Sequence, residues 1–182
     1  MIRKFSIMLV AALLVFPVMA LAAANVGDEI PHSLELKNQN GEVQTFDSLS
    51  GEKGIVLVFV RSADWCPYCQ VQLLDLRSDA QPIVDLGYNI VSISYDAPET
   101  LKAFADKYSF PYTMLSDEGS AAIKAFGILN EKFEPDHFAH GVPNPHVYVI
   151  AKNKYIRAVL SEEGYKKRPQ VDVIVEAIKS LN

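Results

Sequence analysis

The sequence predicts an α/β fold in which a mixed central β-sheet is covered by helices on both faces. Two observations indicate this fold class. Short runs of β-branched and aromatic residues alternate along the chain with longer segments whose apolar residues recur at helical spacing. Neither repeats nor Pro-rich or Ser-rich linkers interrupt residues 25–182, so these residues are expected to form one domain with its own core.

The N-terminal segment predicts export. Two basic residues, Arg3 and Lys4, precede the apolar run 5–18, and a stretch of small residues follows it. This order is typical of a secretory signal peptide, whereas an uncleaved membrane anchor would need an apolar run of about 20 residues. We therefore expect residues 1–24 to be a signal peptide and residues 25–182 to be a periplasmic or secreted domain without stable membrane insertion.

The exported domain is acidic. The whole chain carries a formal net charge of -5 at pH 7. Removal of the signal peptide takes away Arg3 and Lys4 but no acid, so the remaining domain is more acidic still. No cluster of Lys and Arg remains that could neutralise a phosphate backbone. Nucleic acid is therefore not an expected partner.

The first predicted element is an N-terminal β-hairpin. Residues 34–36 and 43–46 flank Asn40-Gly41, a dipeptide that favours a tight hairpin turn. The next element, residues 55–60, is a continuous run of β-branched and aromatic side chains. Such a run is typical of a strand that is buried on both faces of a partly parallel sheet.

The buried strand leads through a loop, residues 61–64, into a helix that begins at two cysteines. The motif reads Trp65-Cys66-Pro67-Tyr68-Cys69. Apolar residues then recur at helical spacing, at Leu73, Leu76, Ala80 and Ile83. Pro67 suits the first helical turn, where a backbone N–H has no intrahelical acceptor, and Pro82 is expected to kink or end the helix.

A second strand and helix follow. Residues 90–94 are the predicted strand, and Asp96 and Pro98 open a helix. The apolar face of that helix consists of Leu101, Phe104, Ala105 and Tyr108. A further short helix is predicted from Ser116 through Phe126, with Gly127 placed to end it.

The last predicted elements are a hairpin and a helix. Residues 147–150 and 155–160 have the composition of strands and are joined through residues 152–154. The final helix follows Pro169. Its apolar stripe consists of Val171, Ile174, Val175, Ile178 and Leu181.

Cys66 and Cys69 are the two cysteines of the chain, and their spacing indicates redox chemistry. A structural disulfide is the simplest alternative in an exported protein, but a bridge between residues three apart closes too short a loop to stabilise a fold much. At a helix N-terminus, Cys66 gains from unpaired N–H groups and the helix dipole, which stabilise a thiolate. Cys66 is therefore the predicted nucleophile, and Cys69, one turn later, is predicted to resolve the mixed disulfide.

The residues around the cysteines are predicted to contact the substrate. Trp65, Pro67 and Tyr68 would form a rim on which a protein disulfide could dock. Trp65 and Tyr68 could equally be packing residues.

A zinc site is another use of two cysteines at this spacing. Because zinc needs about four ligands, His137, His140 and His146, with Asp136, would have to complete the shell. A polar loop beside the active site is the favoured interpretation of these residues. We therefore expect no metal and no cofactor.

At these residues the chain resembles the thioredoxin-like superfamily, and within it the redoxin (AhpC/TSA) group that includes the peroxiredoxins. The most specific segment is WCPYC at residues 65–69. The supporting segments are GDEIP at 27–31, FPYTMLSDEGSAAIKAFGI at 110–128, NPHVYVI at 144–150 and GYKKRP at 164–169. The resemblance implies a thioredoxin-like three-layer α/β/α sandwich.

The resemblance also implies a cis-proline that packs against the disulfide and precedes the last hairpin. Pro145 takes this place by register, and Pro143 is the alternative. We therefore include Pro145 among the predicted substrate-binding residues and expect the Asn144-Pro145 peptide bond to be cis.

The chain departs from thioredoxins at the position of a buried acid. Thioredoxins place this acid six residues before the nucleophile, where the chain has Val60. The nearest acids in sequence are Asp64 and Glu99, and both are more typical of solvated surface. Resolution by Cys69 must therefore use another base or water.

The motif with which peroxiredoxins bind peroxide is also incomplete. Phe59 and Ala63 stand where that motif has proline and threonine, and Pro145 stands where peroxiredoxins keep an arginine. Arg61 could compensate, although it is expected to be a surface charge or a partner of Asp64. The sequence therefore predicts slow reaction with peroxide.

These observations predict an exported thiol-disulfide oxidoreductase that exchanges disulfides with protein substrates through Cys66 and Cys69. Its partners would be protein thiols and disulfides, together with a redox partner that recycles the pair. A thiol peroxidase is the alternative, in which Cys66 attacks peroxide and Cys69 resolves the sulfenic acid. A metal-binding or non-catalytic binding module is the alternative of another class.

Overall fold

The structure, a computed structural model, describes residues 22–164 and 166–181. Residues 1–21 of the predicted signal peptide lie outside the described residues, so the signal peptide and the export it implies stay predictions. Near the start of the described chain, the backbone N–H of Ala24 donates to the carbonyl of Phe126 at 3.0 Å. Within the described ranges, no helix combines the length and the apolar character that crossing a membrane requires.

Seven strands and six helices are present in the described residues. The strands are β1 (Leu36–Asn38), β2 (Val43–Gln44), β3 (Gly54–Phe59), β4 (Tyr88–Ser94), β5 (Thr113–Ser116), β6 (His146–Ala151) and β7 (Ile156–Leu160). The helices are α1 (Phe46–Leu49), α2 (Pro67–Asp79), α3 (Gln81–Asp85), α4 (Pro98–Tyr108), α5 (Ala121–Ala125) and α6 (Val171–Lys179).

The strands form one mixed sheet in the order β2-β1-β5-β4-β3-β6-β7. Strands β3, β4 and β5 run parallel to one another, and the remaining pairs are antiparallel. The predicted hairpins are confirmed as β1-β2 and β6-β7. The mixed central sheet is therefore confirmed, with β4 at its centre and β3 beside it.

Strand β3 divides its side chains between two cores because successive residues of a strand point to opposite faces. Ile55, Leu57 and Phe59 belong to the core that α1 and α5 cover. Val56 and Val58 belong to the core that α2, α3, α4 and α6 cover. The three-layer α/β/α sandwich is confirmed, and the cysteines lie in the second of these cores.

The helix after the cysteines ends as predicted. Helix α2 ends at Asp79, and Pro82 lies in the first turn of the short helix α3. A proline there removes no helical hydrogen bond, because the first N–H groups of a helix lack intrahelical acceptors. Helix α3 therefore begins directly after Ala80, the residue that caps the end of α2.

Strand β5 and the start of α5 differ from the prediction, as does α1, which begins at Phe46 where a strand was predicted. The helix expected from Ser116 begins at Ala121, and strand β5 ends at Ser116. Strand β5 has four residues and pairs with β4 on one side and β1 on the other. Because both partners are distant in sequence, local periodicity could not identify the strand.

Candidate active site

Cys66 and Cys69 form a disulfide at the start of α2. Cys66 is the residue before the first helical turn and has an extended backbone, while Pro67 occupies the first turn. The Cα atoms of the two cysteines are 5.2 Å apart, and both residues are fully buried. The structure therefore brings the predicted pair together at the end of the loop that connects β3 to α2.

The loop between β3 and α2 is bound to the end of β4 through Asp96. Asp96 is buried and accepts hydrogen bonds from the Ser62 hydroxyl at 2.9 Å and the Ala63 N–H at 2.8 Å. The Ser94 hydroxyl donates to the same carboxylate at 2.8 Å. Burial raises the pKa of Asp96, and these three hydrogen bonds oppose that shift. The loop that carries Cys66 is therefore held by a buried polar network.

Helix α2 also holds this loop through side-chain hydrogen bonds. The Gln70 side-chain amide donates to the carbonyls of Ala63 at 2.9 Å and Asp64 at 2.6 Å. Asp64 and Glu99 are both exposed, in agreement with their interpretation as surface residues.

Arg61 points at the nucleophile. Its side chain is 8% exposed, and its Nη2 atom lies 3.4 Å from the Cys66 Sγ. The guanidinium carbon also lies 5.5 Å from the centre of the Trp65 ring. The expectation that Arg61 is a surface charge is therefore wrong. A neighbouring cation stabilises a thiolate, so this contact supports Cys66 as the acidic thiol.

A second arginine, Arg168, lies beside the other sulfur. Its Nη2 atom is 3.6 Å from the Cys69 Sγ, and its Nη1 donates to the carbonyl of Lys167 at 2.6 Å. Burial lowers the pKa of Arg168 to about 10, and the charge of Arg61 adds to this shift. Arg168 lies in the segment GYKKRP, which supports the family resemblance, but the sequence predicted no role for it. The only signal in the sequence is the run of basic residues that precedes Pro169 in this segment.

Trp65 is anchored by packing as well as lying next to Cys66. Its indole N–H donates to the Tyr95 hydroxyl at 2.9 Å, and that hydroxyl donates to the carbonyl of Phe138 at 3.1 Å. The Trp65 and Phe138 rings meet edge to face with centroids 5.1 Å apart. Phe138 is 69% exposed, so this rim includes an apolar residue that the sequence analysis did not assign.

A groove of about 630 Å³ lies on the Cys69 side of the site. Tyr68, Val71, Val173 and Arg168 are among its lining residues. Tyr68 is half-buried, Pro67 is exposed, and Val71 is 57% exposed. Tyr68 and Pro67 therefore lie where a substrate could reach them, and their role in binding stays a prediction.

The histidines of the late loop make local hydrogen bonds. His137 Nδ1 accepts from the Ala139 N–H at 3.0 Å, and His140 Nδ1 lies 2.8 Å from the Phe133 carbonyl. Across the described ranges, no three His, Cys, Asp or Glu side chains gather closely enough to hold a metal ion. The structure thus provides no support for the zinc hypothesis.

The prediction of a cis bond at Asn144-Pro145 is wrong. The described residues contain no cis peptide bond. The Asn144 N–H donates to the carbonyl of Ile128 at 2.7 Å, and Pro143 pairs with Leu129 in an isolated β-bridge. This pairing holds the segment extended, and a trans bond is the lower-energy form even before proline. Pro145 was named as a substrate-binding residue because of the expected cis bond, so that role is now without this support and remains a prediction.

Comparisons with known proteins cover most of the chain. The AhpC/TSA family matches residues 26–159. The chain is 30% identical over 151 residues to the chloroplastic peroxiredoxin Q of Sedum lineare, covering 83% of this chain and 76% of that protein. It is 34% identical over 106 residues to peroxiredoxin Bcp of Escherichia coli K12, covering 58% of this chain and 66% of that protein.

Solved structures show the same fold. Peroxidoxin BcpB from Mycobacterium tuberculosis superposes with a TM-score of 0.71 at 23% identity, over 86% of this chain and 96% of that one. A peroxiredoxin Q from Xanthomonas campestris superposes with a TM-score of 0.69 at 19% identity, over 86% of this chain and 97% of that one. At these identities the likeness shows the fold alone.

Proposed function

Because the chain belongs to the AhpC/TSA family, we propose that this redox enzyme is a thiol peroxidase in which Cys66 reduces a peroxide and Cys69 resolves the product. The relatives named peroxiredoxin Q and peroxiredoxin Bcp favour peroxide as the oxidant over a protein disulfide. The observation that carries the proposal is the 3.4 Å contact between Arg61 Nη2 and Cys66 Sγ.

Arg61 supplies the donor that the incomplete peroxide-binding motif lacks. Ala63 has no hydroxyl to donate, and its backbone N–H is used by Asp96. The guanidinium of Arg61 can stabilise both the Cys66 thiolate and the negative charge that develops on the leaving oxygen. It reaches the nucleophile from the end of β3 and so replaces the arginine that peroxiredoxins keep at the position of Pro145.

The proposed reaction has two steps before reduction. The Cys66 thiolate attacks one peroxide oxygen, the O–O bond breaks, and the departing oxygen takes a proton to leave as water or an alcohol. Cys66 is thereby oxidised by two electrons to a sulfenic acid. The Cys69 thiolate then attacks the Cys66 sulfur, forms the S–S bond and releases hydroxide, which is protonated to water. The disulfide in the structure corresponds to this product.

A thiol donor must return the pair to the reduced state. Attack of an external thiolate on the disulfide gives a mixed disulfide, and a second thiol of the donor releases the reduced enzyme. A protein dithiol in the exported compartment is the donor class that we propose.

Disulfide exchange with protein substrates is the second candidate. The groove beside Tyr68 favours it, because exposed Val71 and Val173 offer apolar surface in the groove that Arg168 also lines. The two candidates share the cysteine pair and differ in the oxidant that Cys66 meets.

The decisive experiment compares second-order rate constants for oxidation of the reduced protein by hydrogen peroxide and by a small-molecule disulfide. The wild type should react with peroxide much faster than a free thiol does. Arg61→Gln should lower that rate by ~10²–10³, the usual cost of losing one charge-stabilising donor. Arg61→Lys should retain part of it.

The exposed Arg157 on β7 provides a matched control. Arg157→Gln removes the same charge and should leave the peroxide rate unchanged. A wild-type peroxide rate close to that of a free thiol, together with rapid reaction with the disulfide, would favour the second candidate.

A further inference from the structure

Cys69 is in an environment that disfavours a thiolate. It is fully buried in the core that contains Leu73 and Leu76 from the same helix. Burial in apolar surroundings raises the pKa of a thiol because the charged form loses its hydration. The position at which thioredoxins carry a buried acid is Val60, which is itself buried and cannot accept a proton.

Arg168 opposes this cost through a direct contact. Its Nη2 atom lies 3.6 Å from the Cys69 Sγ, within the range of a hydrogen bond to sulfur. A guanidinium has donors and no acceptor, so it stabilises a thiolate and cannot serve as a general base. With its pKa at about 10, Arg168 is still protonated near neutral pH.

The placement of Arg168 depends on the start of α6. Pro169 is buried next to it, and Val171 begins the helix. Ile174 and Ile178 then anchor α6 in the same core as the cysteines. The guanidinium is therefore positioned by a packed element 99 residues away from Cys69 in sequence.

Acidic and basic residues also line the groove beside Arg168. Asp75 and Glu162 line the groove together with Lys166 and Lys167. The second guanidinium at the site, that of Arg61, lies against Cys66 and lowers the pKa of Arg168 through its charge. Arg168 differs from these residues because its guanidinium lies within hydrogen-bond range of the Cys69 sulfur.

We propose that Arg168 keeps Cys69 as a thiolate in the reduced protein, so that Cys69 attacks oxidised Cys66 without a general base. This inference rests on the proposed function, which makes the Cys66 sulfenic acid the group that Cys69 attacks. In that step the S–S bond forms, the Cys66 S–O bond breaks, and the hydroxide released takes a proton from solvent. Arg168 stays protonated throughout.

The first test measures how Cys69 ionises and requires no peroxide. In full-length protein carrying Cys66→Ser, the alkylation rate of Cys69 is followed against pH with and without Arg168→Gln. The loss of Arg168 should lower the thiolate fraction near neutral pH by about tenfold or more, equivalent to at least one pKa unit. Arg168→Lys should restore part of it.

Arg157→Gln is the matched control, because it removes the same guanidinium charge from an exposed side chain on β7. Its alkylation profile should match that of the parent. If Arg168→Gln does not fold, Arg168→Met keeps most of the apolar stem and provides the same comparison. A Cys69 profile that is identical with and without the guanidinium would overturn the proposal.

The second test separates the two steps in time. After a peroxide pulse, oxidation of Cys66 and closure of the disulfide are followed by Trp65 fluorescence and by trapping of the sulfenic acid. Arg168→Gln should slow closure about tenfold or more and leave the first step nearly unchanged. Unchanged closure would overturn the proposal. Failure of the first step in the wild type would instead count against the peroxidase function, and the alkylation result would still stand.

Discussion

Each sulfur of the disulfide lies beside one guanidinium, but the two arginines are held in different ways. Arg61 follows strand β3 in the interior of the sheet, and its loop is bound to Asp96 through Ser62 and Ala63. Arg168 belongs to the segment between β7 and α6, where Lys166 and Lys167 are exposed. The Cys66 side is therefore organised by the core of the sheet, whereas the Cys69 side borders a surface groove.

This difference matches the chemistry that each side must perform. The nucleophile has to meet a small oxidant in a fixed geometry, which a buried hydrogen-bond network can provide. The resolving side has to let a thiol donor approach and a mixed disulfide form. A groove that is lined in part by exposed apolar residues suits that second task.

The largest expected effect comes from removing one sulfur at a time. Cys66→Ser should abolish oxidation by peroxide, because it removes the attacking thiolate. Cys69→Ser should keep the first oxidation and lose turnover, because the sulfenic acid has no resolving partner. Mass spectrometry after one equivalent of peroxide would measure this, and a Cys66 sulfenic acid should appear only in Cys69→Ser. Oxidation of Cys69 in the Cys66→Ser variant at the wild-type rate would reverse the roles.

A smaller effect is expected on the reduction potential of the pair. Arginines that stabilise thiolates stabilise the reduced form and make the disulfide more oxidising. Hydrogen bonds to charged groups contribute ~1.5–3 kcal/mol, so Arg61→Gln and Arg168→Gln should each lower the potential by ~30–60 mV. Equilibration with a glutathione buffer measures the potential.

The size of the two shifts sharpens the comparison between the sides. Because Arg61 is more buried than Arg168, its removal should give the larger shift. Arg157→Gln, on the exposed face of β7, should give none. Equal shifts from all three variants would indicate a general charge effect instead of two specific contacts.

The smallest expected effect is on stability against pH. Burial raises the pKa of Asp96 above 3.8 in the folded protein. An acid with a raised folded-state pKa contributes stability that is fully present below its unfolded pKa and is lost as pH rises through the folded value. The difference in unfolding free energy, wild type minus Asp96→Asn, should therefore decrease as pH rises.

Urea denaturation of both proteins at pH values on either side of 3.8 measures this difference. Asp117→Asn is a useful comparison, because burial also raises the pKa of Asp117, which caps α5 on the far side of the sheet from Cys66. A flat or rising difference for Asp96→Asn would contradict the expected role of this carboxyl.

Local patterns predicted the elements that have strong local causes. The run 55–60 is apolar on both faces and became β3, and the cysteine motif with Pro67 became the start of α2. Pro82 ended the helix for a steric reason that needs no partner. These features depend on the chain's own backbone and side chains, so one sequence was enough to find them.

Features that depend on distant partners were missed. Strand β5 exists because β4 and β1 pair with it, and Asn144-Pro145 is trans within a segment that pairs with residues 128–130. The direction of the Arg61 side chain could not be derived from its position at a strand end. A charged residue there is exposed or buried according to what the loop after it packs against.

The sequence by itself determined the family, the α/β sandwich and the redox-active pair. It also predicted that Cys66 is the nucleophile of that pair. The tertiary structure alone decided what surrounds the pair. It directed Arg61 inward to Cys66, and it brought Arg168 to Cys69 across 99 residues of chain. The physical reason is that a thiol's acidity depends on the charges within a few ångströms of its sulfur. Packing of the loop after β3 sets the distance from Arg61 to Cys66, and packing of α6 sets the distance from Arg168 to Cys69.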